Sequence, residues 1–206
     1  MPELPEVETV RRALDLELSG RTITAVHGRS IAMRRPLDVQ QLAAVLPGSR
    51  FTTPRRRGKY LLIDLDRPGT LLNHLGMSGR LTINGAGAPV LPHTHVTLEL
   101  DDGRELRFVD PRRFGLMEWL PPGAEERDSS LSALGIEPLD PGLKQNLPPL
   151  LKARRAPLKS LLLDQHLVAG VGNIYAVEAL WRAGIRPTRR GNRTSVKRLE
   201  RLAVEV

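Results

Sequence analysis

The chain has 206 residues, 40% apolar and 26% charged, with a formal net charge of +8 and no cysteine. That length supports one large domain or two modest ones, and the composition is that of a folded globular protein. Lack of cysteine excludes disulfides, thiol catalysis and thiolate zinc sites, while the absence of any apolar run near ~18 residues and an acidic amino terminus argue against a membrane span or secretory signal. A cytoplasmic address is expected.

The chain opens Met1-Pro2-Glu3-Leu4-Pro5-Glu6. Val7, Val10, Leu14 and Leu18 then recur between Glu8, Arg11, Arg12 and Glu17, the spacing of an amphipathic helix. Pro5 suits the first turn of that helix, where no backbone donor is needed. Removal of Met1 would leave Pro2 as a secondary α-amine beside the Glu3 carboxylate. Such an amine titrates near ~8, so part of it is unprotonated at neutral pH and can attack an electrophilic carbon. The bland alternative is a proline-marked helix start with acids favoured by the helix dipole.

Short β-rich or alternating segments follow at Thr22–Arg29, Lys59–Asp66, Thr70–Leu75, His95–Leu100, Glu105–Val109 and Gly115–Leu120, bounded by turn residues. Asp102-Gly103 marks a hairpin in which Leu98, Leu100, Leu106 and Phe108 face a core while Thr97, Glu99, Glu105 and Arg107 face water. These strands predict a two-layer sandwich. A short helix is expected over Val39–Leu46, with Asp38 as its cap and Pro47-Gly48 as its stop. Residues 121–149, rich in Pro, Gly, Asp and Ser, read as a linker, partly helical around Leu131–Leu134.

Beyond it the period becomes helical. Leu158, Leu161 and Leu162 mark one helix, and Ile174, Val177, Leu180 and Trp181 a second that ends at Gly184. Between them Gly170-Val171-Gly172-Asn173 offers a sharp turn, with Asn173 placed to cap the second helix and exposed N–H groups to hold a phosphate. The charge supports that reading. Residues 1–151 carry 19 Lys/Arg against 19 Asp/Glu, whereas 152–206 carry 12 against 4. A polyanion suits such a segment, because each phosphate neutralised releases counterions; a solvated basic surface is the competing explanation.

Five separated motifs carry a resemblance: Met1 to Thr9 (MPELPEVET), Lys59 to Leu61 (KYL), His74 to Gly79 (HLGMSG), Asp110 to Gly115 (DPRRFG) and Val171 to Ala176 (VGNIYA). In order and spacing they resemble the signatures of the bacterial formamidopyrimidine-DNA glycosylase family over essentially the whole chain; the related endonuclease VIII branch ranks second because its opening differs. The resemblance implies an α+β protein, an N-terminal two-layer β-sandwich with flanking helices over residues 1–120 and, after the 121–149 linker, a helix-two-turn-helix DNA-binding domain over 150–206. It implies excision of oxidised purines followed by strand cleavage at the abasic sugar, by a monomer acting on damaged double-stranded DNA in the bacterial cytoplasm.

Residue by residue, the resemblance makes Pro2 the nucleophile and Glu3 the acid/base that helps open the sugar, with Glu6 in support. Lys59 contacts phosphate and assists catalysis. Met77, Arg112 and Phe114 fill the gap left by an everted nucleotide, an assignment with a physical rationale, since apolar wedges recover part of the unstacking cost. Lys159, Asn173 and His93 contact DNA, and Tyr175 and Glu178 follow on the helix. Apart from the resemblance, His74 reads as a structural residue that positions the Met77 loop. On residues alone, His93 and His95 share one side of a strand without the further ligands a metal needs.

The resemblance also implies further helices, a loop that closes over the base and a four-cysteine zinc finger. This cysteine-free chain is therefore expected to bind no metal or other cofactor, and to be C-terminally shortened with a weakened grip on DNA. Its last apolar stripe, Leu199, Leu202 and Val206, needs a covering partner. A non-catalytic DNA-binding remnant of the same family is the alternative function.

Overall fold

The computed structural model describes residues 2–206; the expected removal of Met1 lies outside the described residues. The chain forms two compact units, residues 1–128 and 129–206. The 121–149 stretch is therefore no separate linker: it divides at Asp128, and its second part is built into the helical unit.

In the first unit, helix α1 (Leu4–Leu18) precedes strand β1 (Ile23–Gly28) and helix α2 (Val39–Val45). Strands β2 (Arg55–Arg57), β3 (Tyr60–Asp64), β4 (Thr70–His74), β5 (Arg80–Asn84), β6 (Thr94–Leu100), β7 (Glu105–Val109) and β8 (Leu116–Leu120) complete it. They form two antiparallel sheets of order β1-β6-β7-β5 and β2-β3-β4-β8. Val96, Leu98, Leu106 and Phe108 of one sheet share a core with Leu61, Ile63, Leu71, Met117 and Trp119 of the other, and Val7, Leu14 and Leu18 of α1 join it. This is the expected sandwich, because period-2 alternation gives each sheet one apolar face to bury.

Two details differ from the alternation pattern. Arg107 does not face water but is fully buried, donating to Glu105 Oε2 at 2.6 Å and to the carbonyls of Pro89 and Ala88 at 2.7 and 2.6 Å. The 88–89 loop folds over it and supplies acceptors, which makes burial of a guanidinium tolerable. Strands β2 and β5 also extend the sheets where the sequence pattern predicts none.

Helix α1 is fixed through its first two turns. Glu3 and Glu6 form a reciprocal capping box in which Glu6 Oε2 accepts from the Glu3 N–H at 2.9 Å. One turn on, the Glu8 carboxylate accepts from Arg11, Arg12 and, across to β2, Arg56 at 3.2 Å. Burial pushes that carboxyl up, but the hydrogen bonds from Arg12, Arg11 and Arg56 outweigh it and hold the pKa below the usual value.

The second unit contains α3 (Ser129–Ser132), α4 (Leu143–Lys152), α5 (Leu158–Leu163), α6 (Asn173–Arg182), a single 3₁₀ turn at Gly191–Arg193 and α7 (Val196–Glu205). Leu143, Leu147 and Leu151 of α4 pack in one cluster with Leu199, Leu202 and Ala203 of α7, with Val206 partly buried against it. The stripe that needs a partner has one, α4. Lys152 Nζ locks this pair by donating to the carbonyls of Asn192 and Thr194 at 3.0 and 2.8 Å. On α6 only Ala176, Ala179 and Leu180 are buried; Ile174, Val177 and Trp181, the last 75% accessible, point outward.

Candidate active site and nucleic-acid interface

At the start of α1, Pro2 is half-buried and Glu3 is only 2% exposed. A carboxylate in that setting needs compensation, and the capping box with a nearby cation supplies it. The cation is Lys59, 8% exposed, just after the left-handed Gly58 that turns β2 into β3. Burial pulls the Lys59 amine below its ordinary pKa, and the attraction of Glu3 opposes that shift. The structure thus brings Pro2, Glu3, Glu6 and Lys59 of the expected set to the amino-terminal end of α1 and the adjoining strand turn. An acid and an amine, both poorly hydrated, are suited to moving a proton.

His74, at the end of β4, tilts against Tyr60 with ring centroids 4.7 Å apart. Its Nδ1 accepts from the Gly76 N–H at 2.9 Å, which fixes the proton on Nε2. Burial, with Arg34 and Lys59 nearby, lowers its pKa to about 3. This neutral imidazole holds the turn that presents Met77, as expected for His74.

Met77 and Phe114 stand exposed at 44% and 47% on two loops, and with Arg34, His74 and Gly76 they line a recess of about 300 Å³. The Arg112 guanidinium lies over the Phe114 ring, 4.7 Å from its centroid, a cation–π contact that stiffens both side chains. The loops touch backbone to backbone: a Cβ on Gly76, which has φ +63°, would lie 2.4 Å from the Phe114 carbonyl carbon. Arg113 adopts φ +59°, an uncommon conformation for a side-chain-bearing residue, so that its neighbours Arg112 and Phe114 project together.

Sequence reasoning missed the group that joins these loops. Asp110, fully buried, accepts from Ser78 Oγ at 2.6 Å through Oδ1 and from the Gly115 N–H at 2.8 Å through Oδ2. Its position two residues before Arg112 was the available signal. The two histidines upstream part company. His95 is buried and donates from Nε2 to the Asp110 carbonyl at 2.8 Å, whereas His93 precedes β6, is exposed and has φ +66°. They do not share one side of a strand, because the left-handed residue breaks the alternation.

In the helical unit, Asn173 is exposed and is the first residue of α6, with Gly172 in the capping position. Asn173 is therefore no cap; its side chain faces solvent at the end of the helix where the dipole favours an anion. The turn is braced by Gln165, whose Oε1 accepts from the Gly170 N–H and whose Nε2 donates to the Val171 carbonyl, both at 2.9 Å. Lys159 is half-buried on α5, and Glu178 on α6 pairs with Arg182 at 2.9 Å.

A two-sheet unit with an acid and a lysine buried at its amino-terminal helix, followed by a helical unit whose α6 opens at a glycine turn, defines a class, the DNA-repair glycosylases. Residues 1–117 match the formamidopyrimidine-DNA glycosylase N-terminal domain, and residues 134–206 match the formamidopyrimidine-DNA glycosylase H2TH domain. The chain belongs to the formamidopyrimidine-DNA glycosylase family. It is 48% identical over 204 residues to the formamidopyrimidine-DNA glycosylase of Stenotrophomonas maltophilia (strain R551-3), an alignment that covers 98% of this chain and 74% of that protein. Among solved structures, Lactococcus lactis Fpg (MutM) bound to DNA containing N7-benzyl-Fapy-dG is 31% identical, with a TM-score of 0.89 and coverage of 99% and 76%. MutM (Fpg) from Thermus thermophilus is 41% identical, with a TM-score of 0.84 and coverage of 99% and 73%. No helix among the described residues is long and apolar enough to cross a membrane.

Proposed function

We propose that this chain is a bifunctional DNA glycosylase and abasic-site lyase that excises oxidised purines, 8-oxoguanine and formamidopyrimidines, from duplex DNA as a monomer. The observation that carries the reading is the buried Glu3 carboxylate beside a desolvated Lys59, one residue after Pro2. With Met1 removed, the Pro2 nitrogen attacks C1′ of the damaged nucleotide, and the base leaves with the electron pair of the glycosidic bond. The Glu3 carboxylate takes the proton that the Pro2 nitrogen sheds on bonding to C1′ and passes it to the ring oxygen as the sugar opens, giving an iminium that has no nitrogen proton left to lose. That cation is the electron sink for loss of a C2′ proton and departure of the 3′ phosphate. The reaction calls on an amine and carboxylates only, and so on no cofactor or metal.

In this reading Lys59, Lys159, Asn173 and His93 hold the phosphate backbone, Glu6 keeps Glu3 in place, and Met77, Arg112 and Phe114 occupy the space of the extruded nucleotide. Borohydride reduction in the presence of abasic or 8-oxoguanine duplex tests it. Methionine-processed protein is expected to give a covalent adduct that disappears in Pro2→Gly; processed protein that binds the duplex but gives no adduct would instead be a DNA-binding remnant.

The wedge assignment has its own test. Met77→Ala with Phe114→Ala should slow excision of a paired lesion by about 10- to 100-fold, the unstacking energy no longer being recovered. A pre-formed abasic site, easier to extrude, should lose much less, and equal losses in single-turnover assays of both substrates would remove the assignment.

A further inference from the structure

The turns at 75–79 and 110–115 lie far apart in the chain, Asp110 coming 32 residues after Ser78, yet they are fastened by one carboxylate. Asp110 Oδ1 accepts from Ser78 Oγ at 2.6 Å and from the Arg112 N–H at 3.3 Å, and Oδ2 accepts from the Gly115 N–H at 2.8 Å. The hydroxyl answers across the gap, since Ser78 Oγ also accepts from the Arg112 N–H at 3.2 Å. The backbone of Asp110 is held in turn: its N–H donates to the His93 carbonyl at 3.0 Å, and its carbonyl accepts from His95 Nε2 at 2.8 Å and from the Arg113 N–H at 3.3 Å. Every polar atom of this buried acid is engaged, and both turns end in exposed apolar tips.

We propose that Asp110 and Ser78 are positioning residues that clamp the two turns into one rigid clasp, so that Met77, Arg112 and Phe114 enter the base stack together as a single wedge. The proposal rests on the wedge role given above to these three side chains. The physical case is pre-organisation. Two loops that move independently must each be ordered on the DNA, at a cost in conformational entropy, whereas a clasp already joined by a buried charge-assisted hydrogen bond meets the duplex in its bound form. The close approach at Gly76 and Gly115 agrees with this. A Cβ on Gly115 would lie 2.7 Å from the His74 carbonyl oxygen and 3.1 Å from Asp110 Oδ2, so the segments pack backbone to backbone.

Ser78→Ala removes the hydroxyl while keeping the fold, and Ser78→Thr restores it; Asp110→Asn is the more severe partner variant. Two readouts are needed. The first is the fluorescence increase of 2-aminopurine, placed opposite a tetrahydrofuran abasic analogue, when protein binds; it reports wedge entry without any chemistry. The second is single-turnover excision of 8-oxoguanine against cleavage of a pre-formed abasic site. Ser78→Ala is expected to lose most of the fluorescence change at saturating protein and to slow excision about tenfold with at most a roughly threefold loss on the abasic site, while Ser78→Thr recovers both. In the Ser78→Ala background, Met77→Ala and Phe114→Ala should become additive, having been coupled in the parent. An unchanged fluorescence response, equal loss on both substrates or failure of threonine to rescue would overturn the clasp. A parent protein that gives the fluorescence change but excises nothing would refute the enzymatic reading and leave the clasp standing.

Discussion

Glu3→Gln should cut base excision by about 10²- to 10⁴-fold, the range associated with loss of a general acid or base, and leave duplex affinity within a factor of about three. Glutamine is nearly isosteric and keeps an oxygen to accept the hydrogen bond of the capping box, so α1 should stay in place. What it cannot do is exchange a proton with the sugar. It also removes the negative charge that raises the Lys59 amine, so burial alone then acts on that group and its pKa falls further. Single-turnover excision and a binding titration on one lesion duplex separate the two effects. Parallel losses in both would mean that the variant disrupts the amino-terminal turn instead of the chemistry.

Acid should destabilise the first unit through His74. In the unfolded chain this imidazole titrates near its ordinary value of 6.5, and in the folded protein only at about 3. Between those values the unfolded state holds a proton that the native state lacks, so stability is complete above pH 6.5 and drains away as the pH falls toward 3. The full effect is on the order of 5 kcal/mol. His74→Gln has no proton to gain, so its melting temperature should fall less steeply than that of the parent protein as the pH is lowered from about 7 to about 4. Carboxylates add their own acid sensitivity to both curves, and the difference in slope is therefore the quantity to measure; superimposable slopes would show that His74 protonates freely in the fold.

The strands and most helices were legible because their burial is periodic: β6 buries Val96, Leu98 and Leu100, and α1 buries Val7, Leu14 and Leu18. What escaped had a local signal pointing the wrong way. Helix α4 contains Pro148 and Pro149, which read as linker punctuation, yet Leu143, Leu147 and Leu151 form a stripe of period four. Burying three leucines at about 1.5–3 kcal/mol each offsets two interior prolines at roughly 3 kcal/mol each, and Pro148 is itself buried and adds to the gain. Strand β2 is three arginines and offers no apolar pattern at all; Arg56 is held there by Glu8 of α1, an interaction 48 residues apart.

The site divides in the same way. Pro2, Glu3, Lys59, Met77, Arg112 and Phe114 stand in recognisable motifs, and the structure puts each at a turn or helix start. The acceptors that brace these turns are harder to read: Asp110 opens one of the motifs without a role that its letters reveal, and Gln165 stands in none. Asp110 and Gln165 act through hydrogen bonds to backbone N–H groups, and which N–H comes within reach depends on the path of the chain. Asn173 departs from its expected capping place for a related reason: a Gly-Asn pair at a helix start leaves open which of the two occupies the cap, and here Gly172 does.

The buried entry into α1 has a practical side. Because Glu3 is enclosed and its amide is tied to Glu6, the front of the polypeptide is a poor place for fluorophores or surface tethers. Leu16, on the outer face of the same helix, is 83% exposed, and the sequence has no cysteine of its own. Leu16→Cys therefore creates a unique thiol through which single molecules can be labelled and followed on DNA while the amino group remains unmodified.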